Sequence, residues 1–152
     1  MSTKMRGYFG IGVYHPKASV NIGTLWRSAY IFGASFMFTI GKRYVKQASD
    51  TMCSYRHVPL FDYVSYDDFK ENIPYNARLV CIENKGATRF LDKLEHPQQS
   101  IYLLGPEDSG LPDVILKKNI VVQIKSPKDF CLNVATAGSI VMYDRYVRGN
   151  IN

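Results

Sequence analysis

Cysteine is scarce in this chain and falls into no paired pattern. Cys53, Cys81 and Cys131 make an odd count with no CxxC pair, a poor disulfide framework that agrees with a reducing compartment. Cys53 and His57 sit four apart, but His15 and His96 are isolated, so no second ligand pair completes a metal site. A buried thiol and a surface imidazole account for the pair without a metal. No uninterrupted apolar run approaches the length of a membrane span, and MSTKMRGYFG lacks the apolar core of a signal peptide. Gly/Ser tracts, long runs of one charge and repeat periods are also missing, so nothing reads as a linker. The expectation is a soluble, cytoplasmic protein, folded as a single domain over residues 1–152, with no metal and no membrane partner.

What is present supports a real core and a basic surface. Of the 152 residues, 46% are hydrophobic, enough for one compact domain. The net charge is +6, from 19 Lys and Arg against 13 Asp and Glu, and there are 11 tyrosines. Basic residues bunch in GKRYVK (Lys42, Arg43, Lys46), at Arg56, at Lys117 and Lys118, and at Arg145 and Arg148. Such a surface suits a nucleic-acid backbone, though solvated lysines on a small protein look the same.

Strand and helix signals alternate along the chain. YFGIGVYH reads as a strand ending before Pro16, and Ser19 is placed to cap a helix that stops at Gly33 or Ala34. SFMFTIG, ARLVCIE, SIYLLG and IVVQIK read as further strands, with a looser region from Lys42 to Pro59. SYDDFKENI (capped by Ser65), a segment near Arg89 to Leu94, LPDVILKK and a long stretch from about Leu132 to Arg148 read as helices. Near-continuous apolar strands between helices predict an α/β fold with a parallel sheet covered on both faces. In such sheets ligands bind beyond the carboxyl ends of the strands. Glu83 to Gly86, Gly105 to Gly110 and Lys125 to Phe130 are therefore expected to converge on one site.

Three short motifs deserve a chemical reading. In NIGTLWR, Gly23 and Arg27 share a helix face, whereas Asn21 joins them only from the helix's opening turn. LLGPEDSGLP is a glycine turn after a strand, yet it carries Glu107 and Asp108 and lacks the GxxxxGK[ST] and GxGxxG spacings of phosphate loops. An acidic turn repels phosphate but tolerates a cation, and its backbone groups can grip an adenine edge and a ribose. In CLNVATAGSIVMYD, Asn133 opens the last helix and a run of small residues, Ala135 to Ser139, follows it. Gly138 within a helix costs ~1 kcal/mol against alanine, which close packing against another backbone would offset. Each motif alone also has a plain reading: a helix cap, acids at a helix start, or core packing.

Their order and spacing together resemble the three signatures of the TrmH/SpoU branch of the SPOUT RNA methyltransferases, over nearly the whole chain from Tyr8 to Arg148. In length the chain is similar to the minimal members, the TrmL-like enzymes of the tRNA wobble ribose. The resemblance implies a SPOUT fold with a deep C-terminal trefoil knot, a rare departure from unknotted topology. It implies S-adenosylmethionine as cofactor, RNA as substrate (tRNA before rRNA), a homodimer in which two subunits build each site, and methyl transfer to a ribose 2′-hydroxyl. By position, Ile82, Leu104, Gly105, Ile124 and Leu132 would give backbone contacts and apolar walls for the adenosyl group, and Glu107 and Asn133 would shape the pocket. Cys131 stands where the family usually has serine, which weakens a side-chain hydrogen bond but not a backbone one. Arg27 matches the family's key arginine. Guanidinium hardly deprotonates, so its expected role is to stabilise the forming 2′-alkoxide and grip a neighbouring phosphate, while Asn21 orients the ribose or holds Arg27. Two other readings predict different chemistry. A silent knotted RNA-binding assembly factor would lack turnover, and a flavodoxin-like domain would need an acidic cluster or phosphate loop in VYHPKAS, which has neither.

Overall fold

The computed structural model describes residues 6–41, 57–106, 108–128 and 130–149. Strand β1 (Tyr8–Tyr14) leads into helix α1 (Ser19–Phe32), followed by β2 (Phe36–Ile40), β3 (Leu60–Tyr63), α2 (Tyr66–Asn72) and β4 (Arg78–Ile82). Then come β5 (Arg89–Phe90), a 3-10 turn (Leu91–Lys93), β6 (Gln99–Leu104), α3 (Asp113–Leu116), β7 (Ile120–Gln123) and α4 (Val134–Gly149). The seven strands form one sheet in the order β3-β2-β1-β6-β4-β7-β5, and every pairing is parallel. The expected α/β class with a parallel sheet is what the chain adopts.

Side chains alternate across each strand and so divide between two cores. Phe9, Ile11 and Val13 of β1, with Tyr102 and Leu104 of β6, face the layer of α1 and α4, where Leu25, Trp26 and Val141 are buried. Ile101 and Leu103 of β6 face the other layer, with Phe38, Phe69 and Ile115. The Trp26 indole donates its N–H to Val58 O at 2.8 Å, so its polar edge is satisfied inside the core.

Several local expectations need correction. Helix α1 begins at Ser19 itself, with Ala18 at the cap position and no side-chain cap bond. Gly33 ends α1 at φ 83°, a left-handed conformation that glycine adopts without a Cβ penalty. Ser65 does cap α2, accepting from the Asp68 N–H at 3.1 Å. The segment near Arg89 is a two-residue strand on the free edge of β7 plus one 3-10 turn, because its backbone completes the β7 ladder. LPDVILKK yields only a single turn, with Pro112 at its cap position. Edge strand β3 (LFDY) is short and leaves Phe61 exposed, and the sequence reading did not assign it. The basic bunch from Lys42 to Lys46, with Cys53 and Arg56, lies outside the described residues. Among the described residues no helix is long and apolar enough to cross a membrane.

Helix α4 is fastened to the rest by close approach at one end and by charge at the other. A Cβ on Gly138 would overlap the Leu25 side chain and crowd Leu104 and Ile11, so the absent side chain is what lets α4 meet α1. Beside it the Ser139 hydroxyl donates to Ser28 Oγ at 2.9 Å. Toward its end, Arg145 is buried rather than part of a basic surface. Its guanidinium donates to Pro97 O, Gln98 O, Ser100 Oγ and Tyr102 Oη at 2.8 to 3.1 Å. The chain continues through His96, whose Nδ1 meets Tyr102 Oη and whose Nε2 meets Asp144, both at 2.6 Å. Arg148 closes it on Asp144 and on Leu91 O and Leu94 O. Every partner is satisfied by a neutral imidazole that donates from Nε2 and accepts at Nδ1.

Burial holds the His96 imidazole below its ordinary pKa, against the upward pull of Asp144. Burial would raise Asp144, but hydrogen bonds from Arg148 and His96 outweigh it and hold that carboxyl low. A depressed folded pKa means stability present above the unfolded value and lost as pH falls through the folded one. Stability should therefore decline first below about pH 6.5 from His96 and again below about pH 3.9 from Asp144. In His96→Gln, melting curves between pH 7 and 5 should lose the first decline; an unchanged slope would remove His96 as its source. Gly138→Val should cost about 1–3 kcal/mol in urea unfolding through overpacking against Leu25.

Candidate active site

The carboxyl ends of β4, β6 and β7 bring the three expected loops together. Ile82, Glu83 and Asn84 follow β4, Gly105 and Pro106 follow Leu104 of β6, and Ile124, Ser126, Phe130, Cys131 and Leu132 follow β7, with Val134 and Ala137 of α4 closing the wall. They enclose about 560 Å³ of space, part of it open to solvent, a volume suited to a small molecule. The floor is apolar, and Phe130 and Leu132 remain exposed at its rim. No lysine or arginine lines it among the described residues.

The turn after β6 keeps its shape through Glu83. One carboxylate oxygen accepts the Leu111 N–H at 2.9 Å and the other accepts the Asn84 N–H at 3.0 Å. Gly110 sits at φ 70°, and a Cβ there would be 2.5 Å from Glu83 Oε2. A Cβ on Gly105 would lie 3.0 Å from Leu111 N and 3.2 Å from Glu83 Oε2. Both glycines are thus sites where a side chain would displace the carboxylate, and only the first also needs a left-handed backbone. Outside the recess, Lys17 forms an ion pair with Asp108 and ties the β1–α1 loop to the same turn.

Asn133 joins the second expected cluster. Its Oδ1 accepts from Ala135 N at 2.9 Å and Thr136 N at 3.3 Å, which makes it the cap of α4. With the oxygen committed to the helix, its amide N–H₂ points outward and donates to Asn21 Oδ1 at 3.0 Å. Asn21 occupies the first turn of α1 and lines a smaller hollow with Val13, Pro16 and Ile22. That hollow shares Pro106 and Val134 with the larger recess, so the two are adjacent.

The predicted residues separate into four groups. Ile82, Leu104, Gly105, Ile124, Cys131 and Leu132 line one recess, and Asn21 and Asn133 are bonded beside it. Glu107 lies outside the described residues. Arg27 is exposed and does not line the recess. It sits six residues past Asn21, ~9 Å further along α1 as the helix runs back from the strand ends. It makes no hydrogen bond or ion pair among the described residues, so Asn21 does not hold it.

Sequence reasoning placed the loop from Glu83 to Gly86 at the site but gave Glu83 itself no role, although an acid at the end of an apolar strand (LVCIE) was a usable signal. Cys81, two residues earlier, is buried; desolvation first, then the Glu83 charge, pushes its thiol up to about 12, which makes it inert. Among the described residues no group of three or more His, Cys, Asp and Glu could hold a metal ion.

The profile of the SpoU rRNA methylase family matches residues 9–143. The chain belongs to that family, and on that footing it is an RNA methyltransferase with S-adenosylmethionine as methyl donor. No curated protein matches the chain. Among solved structures, one offering structural insights into the 2-OH methylation of C/U34 on tRNA superimposes with a TM-score of 0.82 at 24% identity. That match covers 94% of this chain and 98% of the other. An AdoMet-bound rRNA methyltransferase from Sinorhizobium meliloti gives 0.82 at 20% identity, over 98% of this chain and 59% of that one. The A. aeolicus TrmH/SpoU tRNA modifying enzyme gives 0.77 at 16% identity, over 96% and 80%. At these identities the likeness is one of fold.

The recess suits an adenosyl group bearing a sulfonium: apolar walls, backbone groups at Gly105 and Leu132, a fixed carboxylate and no cation among the described lining residues. Gly105→Val should drive Glu83 and Leu111 into this space and weaken S-adenosylmethionine binding by at least about tenfold in calorimetry. Unchanged affinity in a folded variant would mean that the cofactor binds elsewhere.

Proposed function

We propose that this protein, a single SPOUT domain over 1–152, methylates a ribose 2′-hydroxyl of tRNA in the cytoplasm. In this reading it is a homodimer whose copies share each active site. The observation that carries the reading is the recess at the strand ends, free of lysine and arginine among the described residues, opening beside the bonded pair Asn21 and Asn133. The support for tRNA over rRNA is length: the chain covers 98% of the structure concerning 2-OH methylation of C/U34 on tRNA but 59% of the rRNA methyltransferase from Sinorhizobium meliloti.

S-adenosylmethionine supplies a methyl group on a sulfonium, already an excellent leaving group. The protein's task is then alignment, worth ~7 kcal/mol or more in favourable cases. Leu104, Gly105, Ile124, Cys131 and Leu132 would hold the adenosyl group, Asn133 and Glu107 would shape the pocket, and Asn21 would orient the ribose. Held there, the group would supply its methyl to the 2′-oxygen with sulfur keeping the bond pair, and the hydroxyl proton would leave to solvent or a neighbouring phosphate. Arg27 would steady the developing alkoxide and grip that phosphate.

Two observations support sharing between copies. Arg27 is solvent-facing and displaced from its own chain's recess, which fits service to a second chain. Helices α1 and α4 also expose Val20, Ile31, Tyr143 and Tyr146, apolar and aromatic surface of the kind that interfaces bury. The order of the sheet supports the implied knot: β4 lies between β6 and β7, and the chain after β7 must return across it to bring α4 onto α1.

Incubation with labelled S-adenosylmethionine and tRNA or rRNA, followed by digestion to nucleosides, should yield a 2′-O-methyl nucleoside from tRNA. The absence of both transfer to RNA and cofactor binding would favour the silent assembly factor. Arg27→Ala should lower turnover by about a hundredfold or more with cofactor affinity kept. Mixing Arg27→Ala with Gly105→Val chains should restore activity, because one site of each mixed dimer then has an intact cradle and an intact arginine. No recovery in verified mixed dimers would place both residues in one chain's site.

A further inference from the structure

Glu83 is the acidic side chain among the described residues that line the recess. Its two oxygens each take a backbone N–H, so the carboxylate is held in one place. It is half-buried, and among the described residues no lysine, arginine or histidine lies within ion-pair distance of it. A negative charge is thus fixed on the wall of a ligand recess, partly stripped of water and not neutralised by any described cation. Neutral backbone donors stabilise such a charge without cancelling its field. Two acids on neighbouring turns differ: Asp108 pairs with Lys17 and Asp113 with Lys85.

We infer that Glu83 makes the recess selective for ligand charge, favouring the sulfonium form of the cofactor over the neutral thioether that remains after transfer. The inference rests on the function proposed above and goes beyond it, because it assigns Glu83 a role in discriminating donor from product. Transfer removes one positive charge from the ligand, since the S–C bond pair stays on sulfur. The attraction to Glu83 disappears in the same step. The residue that helps to recruit the donor therefore does not retain the product, and the site clears for the next turnover.

Calorimetry on the full chain tests this with S-adenosylmethionine and S-adenosylhomocysteine as paired ligands. Glu83→Gln keeps the shape and one acceptor for Leu111 N–H but removes the charge. S-adenosylmethionine affinity should fall about tenfold, while S-adenosylhomocysteine affinity stays within twofold of wild type. A merely structural latch would weaken both ligands together, and that result, or no change in either, would overturn the inference. Should Glu83→Gln fail to fold, the wild-type protein decides with an analogue carrying a protonated amine in place of the methylsulfonium. Tighter binding of this cation than of S-adenosylhomocysteine supports the inference, and equal binding overturns it. Wild-type protein that binds none of the three would overturn the cofactor assignment itself, and Glu83 selectivity with it.

Discussion

Helix α4 reaches α1 only because residue 138 has no side chain to hold them apart. With Leu25, Leu104 and Ile11 filling the space where a Cβ would stand, the two helices settle at a separation that also lets Ser139 bond Ser28. One turn earlier the same approach brings the cap residue Asn133 within 3.0 Å of Asn21. The geometry beside the recess is therefore set by packing, and the hydrogen bonds follow from it. At the far end of α4, Arg145 fixes the helix to the starts of β1 and β6 through backbone carbonyls, so the helix can neither slide nor rotate away from the site.

The recess and the polar network occupy opposite ends of the sheet and obey different electrostatics. At the amino end, Arg148 pairs with Asp144 beside a neutral imidazole, and the guanidinium of Arg145 is buried among neutral carbonyl and hydroxyl acceptors, away from any ligand. At the carboxyl end, Glu83 receives only neutral donors and keeps its charge. The first arrangement is a fastener whose value is structural. The second presents a potential to whatever enters. The acidity of the strand-end turns, odd for a phosphate loop, becomes intelligible once the expected guest is a cation.

How much of this could be read from the sequence depended on range. The parallel sheet was legible because β1, β2, β4, β6 and β7 are apolar on both faces, and Gly33, Ser65 and Asn133 sit at helix boundaries with local reasons. The three strand-end loops followed from the general location of ligand sites in such sheets. Strands β3 and β5 were invisible because edge pairing is decided by a neighbour's free backbone and not by their own short segments. Arg145 and Arg148 read as surface charge, since nothing local announces that carbonyls 48 and 57 residues away will receive them. Asn21 and Asn133 were singled out separately, but their bond spans 112 residues and only the folded chain joins them. The loop of Glu83 was expected at the site, but its hold on the turn was not legible, because its partner Leu111 is 28 residues distant.

The order of the sheet also has a consequence for how the chain is made. β1 pairs with β6, and α1 with α4, so the earliest elements to leave the ribosome wait for some of the last. At usual elongation rates about a hundred residues take roughly five to twenty seconds. Throughout that interval the apolar strand YFGIGVY and the helix behind it have β2 for company but lack β6 and α4. Nascent chains of this protein thus carry an exposed half-core during synthesis, and the segment from Tyr8 to Phe32 is where a cellular holdase would find its grip.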